Sequence, residues 1–494
     1  MSEKVYKLWN RSFGWAVFVI ALITFGSTVE PTASFWDAGE YIATSAKLQV
    51  GHPPGAPFFQ MMGAFFALFA NSPENIALMV NYMSVFSSAF SILFLFWTLT
   101  ILLRKLPAFA SLDNLFSRLS FFGSATVGTL AFCFSDSFWF NAVEAEVYAM
   151  ATFILSLLFW LGLRWEQEMN TPRGDRWLLL ISFVIGLSFG VHFMGLLTIP
   201  ALGMIYYFKN NKEVDLKGFA IANLVSVAIL LFIFKLLLPL TLAFFGNAEV
   251  YFVNKIGLPF NSGTIIAGLC FVFFFYYTLK LTHQKKWIDF NTGILCVLFL
   301  LIGFSSWLMI PIRANANTVI NENSPSDARS LLAYYNLEQY PETHLFYGPL
   351  FSDAYAGQDD TEPYFDDKPK YERDLKTGKY IIVNHWENAR INSNAKHRGF
   401  LPRLWSSEHA GNYINFTRPL EFSISPSYRA NEMLVSRVNE FKDEIRDGQP
   451  TGDDYHQFYK TLAPYLDIEK PSFWSSLQYL FEYQMGYMYW RYFM

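Results

Sequence analysis

The sequence predicts an all-α polytopic membrane protein, and three observations lead to this fold class. Of its 494 residues, 53% are hydrophobic and only 16% are charged, a balance that is typical of membrane proteins. The apolar residues are gathered into runs of roughly 20, the length of helix that crosses a bilayer. Basic residues are concentrated between alternate runs, as the positive-inside rule requires. No basic block indicates a nucleic-acid partner.

Nine apolar runs are predicted to cross the bilayer as helices. Lys4, Lys7 and Arg11 precede the first run, as in a signal peptide. That run is longer than a usual signal-peptide core and no Ala-x-Ala site follows it, so we expect it to be retained. The fifth and sixth runs are short and are divided only at Gly190-Val-His192. The nine runs lie at residues 13–30, 78–102, 119–137, 147–163, 177–191, 193–208, 218–240, 263–281 and 291–312.

The basic residues predict the orientation of these helices. With the N-terminus inside, only Lys47 and Lys255 fall in the outer loops, against fifteen basic residues in the inner segments. The fifteen are Lys4, Lys7, Arg11, Arg104, Lys105, Arg118, Arg164, Arg173, Arg176, Lys209, Lys212, Lys217, Lys280, Lys285 and Lys286. We therefore expect a multi-pass protein of the cell inner (plasma) membrane with a cytoplasmic N-terminus.

Two regions follow from this topology. Residues 1–312 form a transmembrane module, and residues 313–494 form an extracytoplasmic C-terminal region of mixed, mostly helical sequence. Residues 56–70 are apolar but too short to span, so we expect a helix at the outer membrane surface. The aromatic stretch 472–494 is expected to approach the membrane, and its abrupt end leads us to expect a truncated chain. The three cysteines of the chain lie in apolar runs, and their spacing indicates neither a disulfide framework nor a metal site.

The first outer loop carries the most informative residues. Asp37, Glu40 and Tyr41 have i, i+3, i+4 spacing, so one helical turn would show all three on one face. The rigid turn His52-Pro-Pro-Gly55 follows soon after. A carboxylate pair immediately beyond a first span suggests a reaction site at the outer membrane surface. The alternative is a solvated loop helix that Asp37 caps.

The second outer loop is also acidic. It contains Asp136, Asn141, Glu144 and Glu146 and no basic residue. If the two loops converge, their carboxylates can act as a general base or bind a divalent metal ion, with Asp37, Glu144 and Glu146 as the ligands. Glu144 is slightly preferred over Glu146, because a helix capped by Asn141 would hold Glu144 in its first turn. The alternative is two solvated loops that never meet.

Three further polar residues lie at or within the predicted spans. His192 is either a hydrogen-bonded core residue or a contact for a phosphate in the outer leaflet. Arg313 follows the last span and is either an interfacial anchor or a guanidinium clamp for a lipid phosphate. Lys235 lies within the seventh span, where it either has a function or snorkels to the interface.

These motifs resemble the GT-C glycosyltransferase superfamily, whose members take a sugar from a polyprenyl-phosphate carrier. Within it, the chain is similar to a family of Bacteroidetes-type bacteria, long of unknown function, whose animal relatives are transmembrane protein O-mannosyltransferases. The resemblance is to the N-terminal half of longer members. The matching segments are Phe35-Trp-Asp-Ala-Gly-Glu-Tyr41, Lys47-Leu-Gln-Val-Gly-His-Pro-Pro-Gly-Ala-Pro57, Gly190-Val-His192, Ile312-Arg-Ala-Asn-Ala-Asn317, Ile320-Asn-Glu-Asn-Ser-Pro325 and Met488-Tyr-Trp-Arg-Tyr-Phe-Met494.

The resemblance implies a GT-C-like helical bundle and an inverting hexosyltransferase. The expected reaction transfers a hexose, with mannose as the expected sugar, from a polyprenyl-phosphate-linked donor to hydroxyls of exported proteins. Asp37 and Glu40 are the expected catalytic residues. The donor phosphate is expected to contact His52, His192 and Arg313, and no cofactor is implied with certainty.

Two other functions stay open at this point. A membrane transporter or lipid flippase would suit Lys235 and the broken fifth and sixth runs, but no inverted repeat is visible and such a protein does not need a large outer region. The second is a non-enzymatic scaffold for a secretion apparatus. Only an enzyme requires Asp37 to lie within reach of a lateral cleft that is open to lipid.

Overall fold

The computed structural model describes residues 1–211, 213–340, 344–359, 361–448 and 450–493. Lys212 of the predicted inner set therefore lies outside the described residues. The chain divides into two compact units. Unit 1 comprises Met1–Gln339 and Glu372–Ile381, and unit 2 comprises Tyr340–Tyr371 and Ile382–Met494.

Unit 1 is helical. Its helices are α1 (Glu3–Ser27), α2 (Ala38–Ala46), α3 (Pro57–Ala67), α4 (Ile76–Leu103), α5 (Leu115–Cys133), α6 (Asp136–Ala142), α7 (Val147–Glu168), α8 (Asp175–Ser188), α9 (Thr198–Asn210), α10 (Leu216–Leu231), α11 (Leu238–Tyr251), α12 (Ser262–Gln284), α13 (Ile288–Phe304), α14 (Met309–Ala314) and α15 (Ala328–Tyr335). The π-helical segment Phe232–Leu237 joins α10 to α11, and Phe252–Ile256 continues α11.

Six helical segments of the described chain are long and apolar enough to cross a bilayer, which makes this a polytopic membrane protein. They are Glu3–Ser27, Pro73–Leu103, Val147–Glu168, Leu216–Ile256, Ser262–Gln284 and Ile288–Ala314. The remaining predicted spans, 119–137, 177–191 and 193–208, coincide with α5, α8 and α9, which are not among the six. The count of nine therefore stays a prediction.

The short elements around the predicted site agree with local sequence signals. Pro57 stands at the first position of α3, where its missing N–H is not needed and its fixed φ suits the helix. Asp37 occupies the N-cap position of α2, but its side chain makes no capping hydrogen bond. The alternative interpretation of Asp37 as a helix-capping side chain is therefore wrong, and its carboxylate is left for other contacts.

Glycine allows a close contact between helices α8 and α13 of unit 1. A Cβ atom at Gly186 would lie 2.0 Å from the carbonyl oxygen of Leu300, and one at Gly303 would lie 2.2 Å from that of Phe183. Backbone atoms cannot rotate away, so any side chain at these positions must separate the helices. Next to this contact, the Trp307 indole N–H donates to the carbonyl oxygen of Phe189 at 3.0 Å.

Unit 2 mixes short helices with two-stranded pairs. Its helices are α16 (Asp353–Ala356), α17 (Ala410–Phe416), α18 (Glu432–Arg446), α19 (Gly452–Leu462), α20 (Phe473–Gln478) and α21 (Trp490–Phe493), with the π-helical segment Tyr479–Tyr489 between the last two. The strands of unit 2 are β1 (Tyr347–Pro349), β2 (Tyr364–Phe365), β5 (Arg390–Ile391), β6 (Arg398–Phe400), β7 (Phe422–Ile424) and β8 (Leu466–Ile468), and the chain also forms β3 (Tyr371–Asp374) and β4 (Lys379–Ile382).

Antiparallel pairs β1–β6, β2–β5 and β7–β8 connect distant parts of unit 2. Most of the β3–β4 hairpin belongs to unit 1. The core of unit 2 is aromatic, and Phe441 stacks on Phe458 with ring centroids 3.8 Å apart. The Tyr459 hydroxyl is fully buried and donates to the carbonyl oxygen of Leu420 at 2.7 Å.

The α8–α13 contact generates the first prediction. Gly303→Ala should lower the melting temperature of the purified protein by several degrees, because the added methyl meets backbone that cannot move aside. Gly293→Ala is the matched control in α13, since nothing lies within 4 Å of a Cβ atom there. In the control, alanine should be neutral or stabilising. Equal melting temperatures for the two variants would contradict the close packing.

Candidate active site

The first two predicted outer loops contact each other in unit 1. The backbone N–H of Glu30, just after α1, donates to the carbonyl oxygen of Val143 at 3.0 Å. The Asn81 side-chain amide in α4 donates to the carbonyl oxygens of Glu30 and Thr32 at 2.6 and 2.8 Å. Loop one is thus fixed between α4 and loop two, and the alternative of two loops that never meet is excluded.

The contact continues to the acidic residues of both loops. The backbone N–H of Asp37 donates to Glu146 Oε1 at 3.1 Å. Glu146 is buried, with 5% of its surface exposed, whereas the side chain of Asp37 is 59% exposed. The second loop therefore supplies a buried carboxylate under the backbone of loop one, and the Asp37 carboxylate itself remains accessible.

The expected preference for Glu144 is not what the structure shows at Asp37. Glu144 is also buried, but the oxygen that the Asp37 N–H contacts belongs to Glu146. The predicted capping by Asn141 is wrong, because Asn141 lies inside α6 and its amide donates to the carbonyl oxygen of Ser137. Helix α7 begins later, at Val147, with Glu146 in its N-cap position. Glu146 therefore lies where the free N–H groups of a helix favour a carboxylate.

Glu40 and His52 form the second part of the site. Glu40 Oε2 lies 2.9 Å from His52 Nδ1, and its Oε1 accepts the His52 backbone N–H at 2.7 Å. The neighbouring Gly51 leaves room for this carboxylate, since a Cβ atom there would lie 2.6 Å from Glu40 Oε1. On its other side, His52 Nε2 lies 4.0 Å from the Asp37 carboxylate. One imidazole thus lies between the two predicted catalytic carboxylates.

The charges of these groups follow from their surroundings. The hydrogen bond to His52 lowers the pKa of Glu40, and the same bond raises the pKa of His52. Ionised Glu40 and protonated His52 therefore favour each other. Burial, together with the charges of Asp37 and Glu144, raises the pKa of Glu146 to about 7. The site thus holds a carboxyl that changes charge near neutral pH.

A residue that sequence reasoning missed supports the turn at His52. The Tyr334 hydroxyl in α15 donates to the carbonyl oxygen of Gly51 at 2.7 Å and also contacts that of His52 at 3.1 Å. A Cβ atom at Gly55, whose φ is +75°, would lie 2.7 Å from the same hydroxyl oxygen. The Pro-Pro-Gly turn is therefore packed directly on Tyr334. Its separation of 283 residues from Gly51 explains why spacing could not reveal it.

The side chain of Arg313 contacts the backbone of loop one. Its Nε donates to the carbonyl oxygen of Leu48 at 2.5 Å and its Nη2 to that of Lys47 at 3.0 Å. Leu48 has a positive φ of 46°, a conformation that non-glycine residues rarely adopt. The guanidinium therefore binds the carbonyl groups at the strained end of α2. Its predicted role at a donor phosphate remains a prediction.

His192 lies beside the start of α7. Its Nδ1 accepts the backbone N–H of Met194 at 3.2 Å, which fixes the ring at the start of the short 3₁₀ segment Phe193–Leu197. The ring centroid lies 5.5 Å from that of Tyr148, two residues after Glu146. His192 thus borders the second acidic loop, and its contact with a donor phosphate remains a prediction.

The residues of the site do not fit a divalent metal ion. Within the part of the chain that the structure describes, no group of three or more His, Cys, Asp or Glu side chains could hold one. Of the predicted ligands Asp37, Glu144 and Glu146, the last already accepts a backbone N–H with one oxygen. The arrangement therefore supports carboxylate acid–base chemistry and gives no basis for a metal-dependent step.

Comparison with known proteins relates the site to one family. Residues 37–215 match the family described as Protein O-mannosyl-transferase TMEM260 N-terminal domain. This segment begins at Asp37 and contains Glu146 and His192. It confirms the predicted relation to animal protein O-mannosyltransferases for this part of the chain. Residues 341–481 match a family of unknown function, DUF8416.

Two curated relatives match part of the chain. Protein O-mannosyl-transferase tmem260 of Dictyostelium discoideum is 23% identical over 209 residues, which are 40% of this chain and 23% of the relative. Protein O-mannosyl-transferase TMEM260 of Mus musculus is 28% identical over 177 residues, 35% of this chain and 22% of the relative. The matched region thus spans less than a quarter of each relative. No solved structure matches the chain.

The buried carboxyl of Glu146 generates the second prediction. Because its pKa in the folded protein is about 7, above its ordinary value of 4.5, its contribution to stability is complete below about pH 4.5 and is lost as the pH rises through about 7. Glu146→Gln cannot ionise but keeps an oxygen for the Asp37 N–H. We expect the melting temperature of Glu146→Gln relative to wild type to be higher at pH 8 than at pH 5.

Glu74→Gln is the control for this comparison, because Glu74 is exposed on the short segment Pro73–Asn75. The melting temperature of Glu74→Gln relative to wild type should not rise between pH 5 and pH 8. If Glu146→Gln and wild type differ in melting temperature by the same amount at pH 5 and pH 8, Glu146 does not titrate between these pH values. That result would contradict the raised pKa.

Proposed function

We propose that this chain is a protein O-mannosyltransferase that transfers mannose from a polyprenyl-phosphate carrier to hydroxyl groups of exported proteins. The observation that carries the proposal is the contact of Asp37 with Glu146, inside the segment that matches the TMEM260 N-terminal domain. The names of the relatives support O-mannosyl transfer. The polyprenyl-phosphate donor and the inverting course are further parts of the proposal.

In the proposed reaction Asp37 is the general base. Its accessible carboxylate takes the proton of the acceptor hydroxyl while the hydroxyl oxygen bonds to C1 of the sugar. The bond from C1 to the phosphate oxygen breaks on the opposite face, the polyprenyl phosphate leaves with the electron pair, and the anomeric centre is inverted. A positioned general base contributes about a hundredfold to ten-thousandfold.

The remaining groups set the position and charge of this base. Glu146 holds the backbone N–H of Asp37 and thereby fixes the start of α2. Glu40 favours the protonated form of His52, which lies 4.0 Å from Asp37 through Nε2. An imidazolium at this point can offset negative charge that develops on the departing phosphate. Arg313 and His192 are the other proposed contacts of the donor.

The proposed topology places this site at the outer face of the membrane. Nine spans with a cytoplasmic N-terminus put Asp37 and Glu146 outside, where an exported acceptor is available. The basic residues of α4 and α7 support this orientation. Both helices begin near the candidate site, and in both the basic residues lie towards the opposite end. Arg104 and Lys105 follow α4, and Arg164 lies in the last turns of α7.

The third prediction tests the base. Asp37→Asn keeps the size and the backbone of the residue but cannot take the proton. We expect mannosyl transfer by membranes that contain the variant to fall by about a hundredfold or more. Asp136→Asn is the matched control, an exposed acidic residue at the start of α6, and it should transfer normally. A transporter or scaffold shows no transfer in wild type, and near-normal transfer in Asp37→Asn removes Asp37 from the mechanism.

The fourth prediction tests the topology. In a variant without the native cysteines, Asn71→Cys lies in the exposed turn between α3 and α4, and Lys209→Cys is exposed in the last turn of α9. A membrane-impermeant thiol reagent should label Asn71→Cys in intact cells and Lys209→Cys only after the membrane is opened. The reverse pattern would place the candidate site on the cytoplasmic side and contradict the proposed acceptor.

A further inference from the structure

A cavity lies at the ends of α4 and α7 that are opposite the candidate site. It has a volume of about 720 Å³ and is enclosed by the first turns of α1, the last turns of α4 and α7 and the start of α8. Glu146 precedes α7 and Arg164 lines this cavity. Their separation of 18 positions corresponds to about 27 Å of helix, close to the thickness of the hydrocarbon core of a bilayer. The cavity therefore opens at the other membrane face.

The lining of this cavity is basic. Five cationic side chains reach it from α1, from α7 and from the residues that follow α4, and one carboxylate, that of Glu3, lines it with them. The cations are Lys7, Arg11, Arg104, Lys105 and Arg164. Membrane proteins collect basic residues at their inner face in any case. What needs explanation here is that these residues surround a cavity instead of being spread over a surface.

Carboxylates around the cavity balance only part of its charge. Arg104 pairs with Glu3 at 3.4 Å, and Lys7 shares that carboxylate at 3.7 Å. Lys105 pairs with Glu166, and Arg164 and Arg176 pair with Glu168. Arg11 takes part in no ion pair with the described residues. Five cations thus share three carboxylates and Arg11 adds a sixth positive charge, which leaves a local excess of positive charge for an anionic ligand.

The walls of the cavity suit the interfacial part of a lipid. Trp97, Trp160 and Trp177 lie in succession along it, with ring centroids 5.8 and 6.4 Å apart. Tryptophan prefers the depth of the headgroups, where one side of the ring is apolar and the other is wet. Asn10 and Gln167 add neutral polar side chains to the same lining.

We propose that this basic cavity binds the phosphate headgroup of an anionic phospholipid, with Lys7 and Arg11 as its main cationic contacts. Basic pockets between transmembrane helices at the inner face are suited to such headgroups. The tryptophans would contact the glycerol region and the upper acyl chains. The site is independent of the transfer reaction, since Arg164 lies about 27 Å along α7 from Glu146, whose carboxylate contacts the backbone of the proposed base.

The test uses the full chain in detergent and dioctanoyl phosphatidylglycerol as the probe. Its melting temperature is measured against lipid concentration for wild type and for the double variant Lys7→Gln, Arg11→Gln. We expect saturable stabilisation of wild type and a midpoint concentration at least about tenfold higher for the variant, because each basic residue near an anionic lipid contributes on the order of a few-fold in affinity. Lys4→Gln, Lys209→Gln is the control, with the same loss of charge outside the cavity lining, and it should behave as wild type.

Three outcomes would overturn the proposal. If the control variant loses as much stabilisation as the cavity variant, the effect is one of overall charge. If dioctanoyl phosphatidylcholine stabilises the protein equally, the headgroup charge is irrelevant. If inorganic phosphate reproduces the effect at the same concentration, the ligand is a soluble phosphate compound and not a lipid. Should the double variant fail to fold, Arg11→Gln alone supplies the same comparison, because this exposed side chain has no ion pair to lose in the described chain.

Discussion

The geometry of the candidate site depends on one buried carboxylate. An ionised carboxyl in a protein interior is costly unless donors surround it, and the backbone N–H of Asp37 offsets only part of this cost at Glu146. Because this donor belongs to the other loop, satisfying Glu146 fixes Asp37 in space. The same burial holds its pKa near 7, so the contact that positions the proposed base is also sensitive to pH.

The turn at His52 shows that the site extends beyond the segment shared with known transferases. That segment covers residues 37–215, but Tyr334 and Arg313 hold the two ends of the stretch between α2 and the Pro-Pro-Gly turn. The backbone adds to this, since the Val50 N–H donates to the carbonyl oxygen of Ile320 at 3.1 Å. Residues 313–335 therefore act as the support of a loop that lies nearly 300 positions earlier. A protein cut after residue 215 would keep Asp37 and Glu146 but lose the contacts that support the turn at His52.

Sequence periodicity predicted the local structure well and the long-range contacts poorly, for a physical reason. The spacing of Asp37, Glu40 and Tyr41 predicted one helical turn, and α2 contains that turn because i, i+3 and i+4 positions are set by the helix alone. The choice between Glu144 and Glu146 depended on where α7 begins, and a shift of that boundary from the predicted cap at Asn141 to Glu146 changed the answer. Arg313 and Tyr334 lie 265 and 283 residues from their partners. Only the packed structure can bring such residues together.

The dipoles of the helices explain some of the charged residues at the helix ends and leave others without an explanation. Arg104 caps the C-terminal end of α4, and the acidic Glu146 stands at the N-terminal end of α7, both in the favourable sense. Helix α1 runs the other way, and Lys7 and Arg11 lie beyond its first turn, where the helix dipole has little effect on a charge. The helix itself therefore gives no reason for these two cations, and their position must come from the inner membrane face and from what occupies the cavity that they line.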